Sequence, residues 1–116
     1  MKKLSFPDMK ISEMQLLPTN NVLKVVVEGG WLDVNGGERL GKGTLLFSDW
    51  NSMTVNRFDP ITELWSQNSK HDLEYLKDIC EFKFCDSVVS LCGFGQNSGC
   101  WLEWKISDAN MQADFD

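Results

Sequence analysis

The sequence predicts a single α+β domain in which a mostly antiparallel sheet of about seven strands packs against one amphipathic helix. Residues 22–28 are rich in β-branched side chains, which is typical of a central strand. Residues 101–106 alternate between two faces, as a half-buried strand does. Residues 69–84 instead repeat apolar side chains at the spacing of one helix face. No linker or low-complexity tract divides residues 1–116, so we expect one domain.

Three further strands are predicted before the helix. Residues 9–16 alternate between apolar and polar side chains, with a kink in the middle. Residues 44–47 and 53–58 are predicted to pair as a hairpin, because the Ser-Asp-Trp-Asn segment at 48–51 has the composition of a turn.

The C-terminal part is predicted to be a three-stranded meander formed by residues 88–92, 101–106 and 109–115. A glycine-rich turn separates the first two of these strands. Within the second strand, two sets of side chains are expected to face opposite ways: Leu102, Trp104 and Ile106 on one face, and Trp101, Glu103 and Lys105 on the other.

One helix is predicted in the middle of the chain. Ser69 can cap its first turn, and Asp72 stands three residues on, where a capping box places an acidic residue. At 100° per residue, four apolar side chains then fall on one side, which we expect to pack on the sheet. These four residues are Leu73, Leu76, Cys80 and Phe84.

The same helix would carry an acidic stripe, because Glu74, Asp78 and Glu81 follow each other at i, i+4 and i+7. A partner with basic groups would explain why these like charges are tolerated. A solvated face explains them as well, since Lys70 and Lys77 stand four residues before the two glutamates. Both interpretations stay open at this point.

The charge of the chain narrows the class of partner. Seventeen acidic residues face eleven basic ones, which gives a net charge of −6. This sign opposes binding to DNA or RNA, where Lys and Arg must displace counterions from phosphates. It would attract a basic protein, or it serves only to keep a small domain soluble.

No membrane or export signal is expected. The basic start of the chain is followed by Leu-Ser-Phe-Pro-Asp at 4–8, which ends any apolar run at once and does not match a signal peptide. No stretch approaches the eighteen apolar residues that a membrane span requires. We therefore expect a cytoplasmic protein with no membrane contact.

The four cysteines and the single histidine, His71, do not match a cofactor or nucleophile site. The spacing C-x4-C-x6-C-x7-C of Cys80, Cys85, Cys92 and Cys100 differs from common zinc sites. We expect free, mostly buried thiols, with a metal site or a disulfide as the alternatives. The glycine-rich segment at 36–43 does not complete a phosphate-binding loop, so no cofactor is predicted.

Two other groups of residues remain as candidates. Asp33, Glu38 and Asp49 flank the glycine-rich segment and could serve a hydrolase, which uses paired carboxylates. Five tryptophans are more than a small core readily holds, so at least one of Trp31, Trp50 and Trp101 is expected to be partly exposed. Alternatively, these rings cover the open face of the sheet.

Three segments carry a resemblance to known proteins: Leu46–Trp50, Leu91–Gly95 and Gly99–Trp104. Together they resemble small bacterial immunity proteins of contact-dependent or polymorphic toxin systems. The resemblance implies a role without catalytic residues: tight binding of one cognate toxin domain, often a basic nuclease.

The sequence therefore favours a non-enzymatic immunity protein that binds and neutralises a basic toxin domain through acidic groups. The expected contact residues are Glu74, Asp78, Glu81, Asp33, Glu38 and Asp49. The alternatives are a small adaptor or oligomeric assembly subunit, and a small carboxylate-dependent hydrolase.

Overall fold

A computed structural model describes residues 3–17, 21–33, 37–68 and 73–115. Within these ranges the chain forms thirteen β-strands and no helix. In chain order the strands are β1 Lys3–Ser5, β2 Met9–Leu17, β3 Val22–Val27, β4 Gly30–Asp33, β5 Glu38–Leu40, β6 Gly43–Ser48, β7 Ser52–Asp59, β8 Leu64–Gln67, β9 Asp78–Ile79, β10 Glu81–Cys85, β11 Val88–Phe94, β12 Trp101–Ser107 and β13 Asn110–Phe115.

The strands form three antiparallel sheets. The front sheet has five strands in the order β10-β11-β12-β7-β8. The back sheet has five strands in the order β13-β6-β3-β2-β9. A small sheet has the order β1-β4-β5.

The core lies between the front and back sheets. On the back sheet, Leu45 and Phe47 of β6 are buried, and Leu46 between them is half-buried. On the front sheet, Leu102, Trp104 and Ile106 of β12 are buried together, which confirms the alternation predicted for this strand. These side chains belong to one core cluster. Two sheets that share one core in this way form a β-sandwich.

The chain passes between the two sheets at two neighbouring places, from β6 to β7 and from β12 to β13. Strand β6 pairs with β13 in the back sheet, whereas β7 pairs with β12 in the front sheet. At this corner Asp49 and Asp108 both have left-handed backbones, with φ values of 55° and 58°. The N–H of Asn51 donates to the carbonyl of Ser107 at 2.8 Å and so keeps the two pairs joined. The corner has the features of a bulged bend between sheets.

This corner corrects two sequence predictions. Residues 44–47 and 53–58 do form strands, but they lie in different sheets and do not pair as a hairpin. The C-terminal meander is likewise wrong in its last step, because β11 and β12 pair whereas β13 joins the back sheet. The physical reason is the same in both cases: the turn residues accommodate a bend toward the other sheet instead of a tight reversal.

The α+β fold with one packed helix is contradicted. From Leu73 onward the segment has no helical residue, and its backbone bonds go to distant strands. Lys77 donates its N–H to the carbonyl of Phe94 at 2.9 Å and accepts at its own carbonyl from Ile11 at 2.9 Å. Leu76 and Ile79 are fully buried between the sheets. Tertiary pairing therefore outweighs the local helical pattern. The predicted cap at Ser69 and Asp72 lies outside the described residues.

Candidate binding surface on the front sheet

Four aromatic side chains form a row across the outer face of the front sheet. In the strand register Trp101 lies opposite Phe94 on one side and opposite Phe58 on the other, and Phe58 lies opposite Trp65. Directly opposed residues point to the same face of an antiparallel sheet. Trp104 faces the core, so Trp101, three residues away, faces outward. We call Phe94, Trp101, Phe58 and Trp65 the aromatic row.

The rings of this row contact each other in pairs and remain accessible to a partner. The ring centroids of Phe94 and Trp101 are 5.3 Å apart with planes at 81°, and those of Phe58 and Trp65 are also 5.3 Å apart. Trp65 is 53% exposed and Phe94 is 39% exposed. The ammonium of Lys77 lies 5.9 Å from the centroid of Phe94, within the range of a cation–π contact.

A polar row runs beside the aromatic row on the same face. Two residues further along each strand, Glu103 lies opposite Cys92 and Asn56, and Gln67 lies opposite Asn56. Glu103 forms an ion pair with Lys105 at 3.4 Å. Burial raises the pKa of the Cys92 thiol to about 12, and the nearby carboxylates of Glu103 and Glu81 add to this effect. The polar row therefore presents amide and carboxylate groups next to a thiol that stays protonated.

The turn that joins the ends of β11 and β12 is held by one buried carboxylate. Glu74 is 7% exposed. Its Oε2 accepts from the N–H groups of Asn97 and Ser98 at 2.8 and 2.7 Å, and Oε1 accepts from the Ser98 hydroxyl at 2.8 Å. Gly95 lies against this carboxylate, so closely that a Cβ there would overlap Glu74 Oε2.

The hydrogen bonds to Glu74 also favour its charged form. Burial alone raises the pKa of this carboxyl, but the hydrogen bonds from Ser98 and Asn97 outweigh burial. The charge of Arg57 acts in the same direction as the hydrogen bonds. The net result is a pKa below the ordinary value of 4.5, so Glu74 is ionised at neutral pH.

Three aspartates lie at the opposite end of the front sheet, in turns that hydrogen-bond to one another. Asp49, Asp86 and Asp108 are exposed and have left-handed backbones. The N–H of Asp108 donates to the carbonyl of Ser87 at 2.8 Å, and the side chain of Asn110 donates to Asp49 at 3.3 Å. Residues 48–52, 85–88 and 107–110 contain no Lys or Arg. We call these three aspartates the acidic end.

The predicted acidic stripe does not exist as one face, because its three residues lie in strands and loops. Glu74 is buried and holds a turn. Asp78 is half-buried and accepts from the N–H of Phe94 at 2.9 Å. Glu81 is exposed on the outer face of β10, opposite Cys92, with Lys83 at 3.9 Å. Only Glu81 belongs to the candidate surface.

The three carboxylates expected around the glycine-rich segment are placed on different elements. Asp33 belongs to β4, where it pairs with Lys3, and its side chain lies outside the described part. Glu38 is exposed on β5 of the small sheet. Asp49 belongs to the acidic end, and the whole of β6 separates it from Glu38 along the chain. The structure thus brings Asp49 together with Asp86 and Asp108 instead.

Most of the aromatic row was not predicted from the sequence. The expectation of a partly exposed tryptophan is confirmed, since Trp31 is 40% exposed and Trp101 is half-buried. No exposure was predicted for Trp65, which is more exposed than either. The sequence does contain a turn motif here, because the residues of β7 and β8 flank a proline-containing segment at 59–63. In the structure, Asp59 Oδ1 accepts from the N–H of Ile61 in this turn at 2.9 Å. That motif predicts a hairpin and would have aligned Phe58 with Trp65.

The four cysteines are free thiols. Cys92 is buried, Cys80 and Cys100 are half-buried, and Cys85 is exposed, so the expectation of mostly buried thiols is too strong. Burial, with hydrogen bonding and charge from Asp8 and Asp78, raises the pKa of Cys80 to about 12. Among the residues that the structure describes, no group of three or more His, Cys, Asp or Glu could hold a metal ion. His71 lies outside these residues.

The fold and the surface define a small antiparallel β-sandwich that presents an aromatic row on one open sheet face. No helix capable of crossing a membrane occurs in the described ranges. Comparison with protein-family models, with curated proteins and with solved structures finds no match to this chain.

Proposed function

We propose that this chain is a non-enzymatic binding protein that docks a partner protein on the outer face of its front sheet. The aromatic row is the observation that carries the proposal. Protein interfaces are enriched in aromatic side chains near their centre, and Trp is the residue most often found to dominate binding energy. Trp101 stands on the central strand β12 of the front sheet and Trp65 on its outermost strand β8, with polar groups on one flank of the row.

The row is also built for binding with little loss of conformational freedom. Each ring stands on a strand of the same sheet, and each has a ring neighbour within 5.3 Å. Adjacent strands lie about 4.8 Å apart, so the four rings span roughly 14 Å. Side chains that are already ordered lose less entropy when a partner arrives, which favours tight association.

The charge of the chain favours a basic partner. The net charge is −6, and the acidic end places three carboxylates beyond the same strands that carry the aromatic row. A partner that covers the outer face with an apolar centre and basic groups toward the acidic end would match both features. We therefore propose that the partner is a basic toxin domain and that the protein is a cytoplasmic immunity protein that neutralises it.

The proposal is tested by calorimetric titration of the toxin domain encoded immediately upstream. Trp65→Ala is the diagnostic variant, and Trp31→Ala is its matched control, because Trp31 is exposed on the small sheet and not on the front sheet. We expect a Kd in the nanomolar range or below for the wild type. We expect it to rise at least about 100-fold in W65A, as for a binding hot spot, and to stay within about threefold in W31A.

The proposal would be overturned by the absence of a toxin domain upstream, by no heat of binding with that domain, or by equal affinities of W65A and the wild type. Aromatic rows also stack against sugar rings. If the wild type bound an oligosaccharide in place of a protein, and W65A lost that binding, the proposal would also be overturned.

An adaptor or assembly subunit is the second candidate, favoured by the position of β8. This strand is outermost in the front sheet, and all four of its residues are exposed. An exposed outer strand is a template for pairing with another strand. A second copy paired there would appear as a dimer in sedimentation velocity whose mass does not change with salt. A monomer at all concentrations excludes this candidate.

A further inference from the structure

We propose that Glu74 is a positioning residue for the aromatic row: its buried carboxylate holds the turn at 96–99 so that Phe94 and Trp101 stand side by side. The inference rests on the proposed function only in so far as these two rings contact a partner. The arrangement itself is a property of the unbound protein, so it can be tested without one.

The turn depends on groups from outside itself. Its residues connect Phe94, the last residue of β11, to Trp101, the first residue of β12. Within the turn, the N–H of Gly95 donates to the carbonyl of Cys100 at 2.9 Å, and Cys100 donates to the Ser98 hydroxyl at 3.0 Å. The amides of Asn97 and Ser98, however, donate to Glu74. These two donors converge on a single carboxylate oxygen.

The segment around Glu74 is itself firmly anchored to the sandwich. The indole N–H of the fully buried Trp104 donates to the carbonyl of Glu74 at 3.2 Å. Leu76 forms a bridge with Gly95 and is fully buried. The carbonyl of Tyr75 accepts from the N–H of Gln96 at 2.8 Å. The carboxylate is therefore held on a fixed base, and the turn that it binds is fixed as well.

The charged carboxylate of Glu74 suits the role of accepting the hydrogen bonds of this turn. A carboxylate only accepts hydrogen bonds, and charge-assisted bonds are roughly twice as strong as neutral ones. A glutamine at this position keeps the shape and one acceptor oxygen but loses the charge. It therefore imitates a protonated Glu74, and both forms should hold the turn less tightly.

Protonation of Glu74 should therefore loosen the turn at 96–99 and, with it, the positions of Phe94 and Trp101 at one end of the aromatic row. The groups that face Glu74 are Arg57 of β7, the turn residues Asn97 and Ser98, and the neutral indole of Trp104.

The test is amide hydrogen exchange of the unbound protein at pH 7, resolved by NMR, in the wild type and in Glu74→Gln. Ser52→Ala is the control, because Ser52 is exposed at the far end of β7. We expect exchange at Asn97 and Ser98 to be about tenfold faster in E74Q, as the loss of charge assistance implies, and unchanged in S52A. The indole N–H resonance of Trp101 should shift in E74Q and stay in place in S52A.

A second variant separates positioning from folding. Ser98→Ala removes the hydroxyl that Glu74 binds and leaves Glu74 in place, and it should shift the Trp101 resonance in the same direction as E74Q. In the wild type, the Ser98 amide and the Trp101 indole should titrate together below pH 4.5, and neither titration should occur in E74Q. An unmoved Trp101 resonance in E74Q and S98A would overturn the proposal, as would an acid titration of Ser98 that persists in E74Q.

Discussion

Glu74 and Ser98 are joined across 24 residues of chain, through hydrogen bonds from both the amide and the hydroxyl of Ser98 to the Glu74 carboxylate. This relationship connects the segment before β9 to the turn between β11 and β12. It also explains why a helical pattern does not form a helix here. Glu74, which would have been solvent-exposed on that helix, is instead buried as an acceptor for a turn far away in sequence.

The pH dependence of stability should contain a contribution from Glu74. A carboxyl whose pKa is lower in the folded protein stabilises the fold above its unfolded pKa, and this contribution is lost as the pH falls through the folded pKa. We expect E74Q to lower the free energy of unfolding by about 2 kcal/mol at pH 7. The difference from wild type should shrink as the pH falls below 4.5.

Urea denaturation at pH 7 and pH 3.5 measures this difference. Glu38→Gln is the matched control, because Glu38 is exposed on the small sheet, and it should change stability by less than about 0.5 kcal/mol. A deficit of E74Q that is equally large at both pH values would contradict the assignment.

Gly93 should not tolerate even one added methyl group. It lies near the end of β11, and a Cβ there would overlap the backbone carbonyl of Asp78 in β9. Because this neighbour is backbone, it cannot move aside as a flexible side chain would. Gly93→Ala should cost about 3 kcal/mol, measured by thermal and urea unfolding. Ser90→Ala changes an outward-facing position of the same strand and should cost less than about 0.5 kcal/mol. Equal losses of stability in the two variants would show that β11 and β9 do not approach each other as described.

The two tryptophans of β12 should differ sharply in their effect on stability. Trp104 is fully buried and donates to the carbonyl of Glu74, whereas Trp101 is half-buried on the outer face. Trp104→Phe removes core volume and leaves a buried carbonyl without its donor, so we expect a loss of about 3 kcal/mol. Trp101→Phe should lose less than about 1 kcal/mol. Comparable losses would mean that the two faces of β12 are assigned the wrong way round.

Thiol reactivity should separate the cysteines. At pH 8 a thiol with a pKa of about 12 is ionised to roughly one part in ten thousand, so Cys80 and Cys92 should react slowly with iodoacetamide. Cys85 is exposed and should be alkylated first, as read by mass spectrometry of peptides after short reaction times. Cys85→Ser should remove this fast phase. Fast labelling of Cys92 in the folded protein would contradict its burial beside Glu103.

Local patterns predicted part of this fold correctly. The alternation of residues 101–106 identifies both the strand and its buried face, because a strand with one face in the core leaves a period of two in the sequence. The same kind of local inference failed for residues 73–84. There Leu73, Leu76 and Cys80 are spaced as on a helix, but the pattern arises from short strands broken by bends, with Leu76 and Ile79 buried.

The candidate surface could not be predicted in the same way, because its residues come together through register. Phe58, Trp65, Phe94 and Trp101 lie on four strands, and only the pairing of β12 with β7 places the two halves of the row in line. That pairing depends on the corner at Asp49 and Asp108, where the chain changes sheets instead of reversing. Turn composition alone does not distinguish these two outcomes.

The most direct test of the central claim, that the aromatic row is the docking surface, is amide hydrogen exchange of the protein bound to the basic toxin domain that we propose as its partner. We predict slower exchange in peptides covering residues 56–67 and 94–103 of the front sheet. Peptides covering residues 9–17 and 110–115 of the back sheet should exchange at the same rate with and without the toxin domain. Protection confined to the back sheet or to the small sheet, with the front sheet unchanged, would contradict the account.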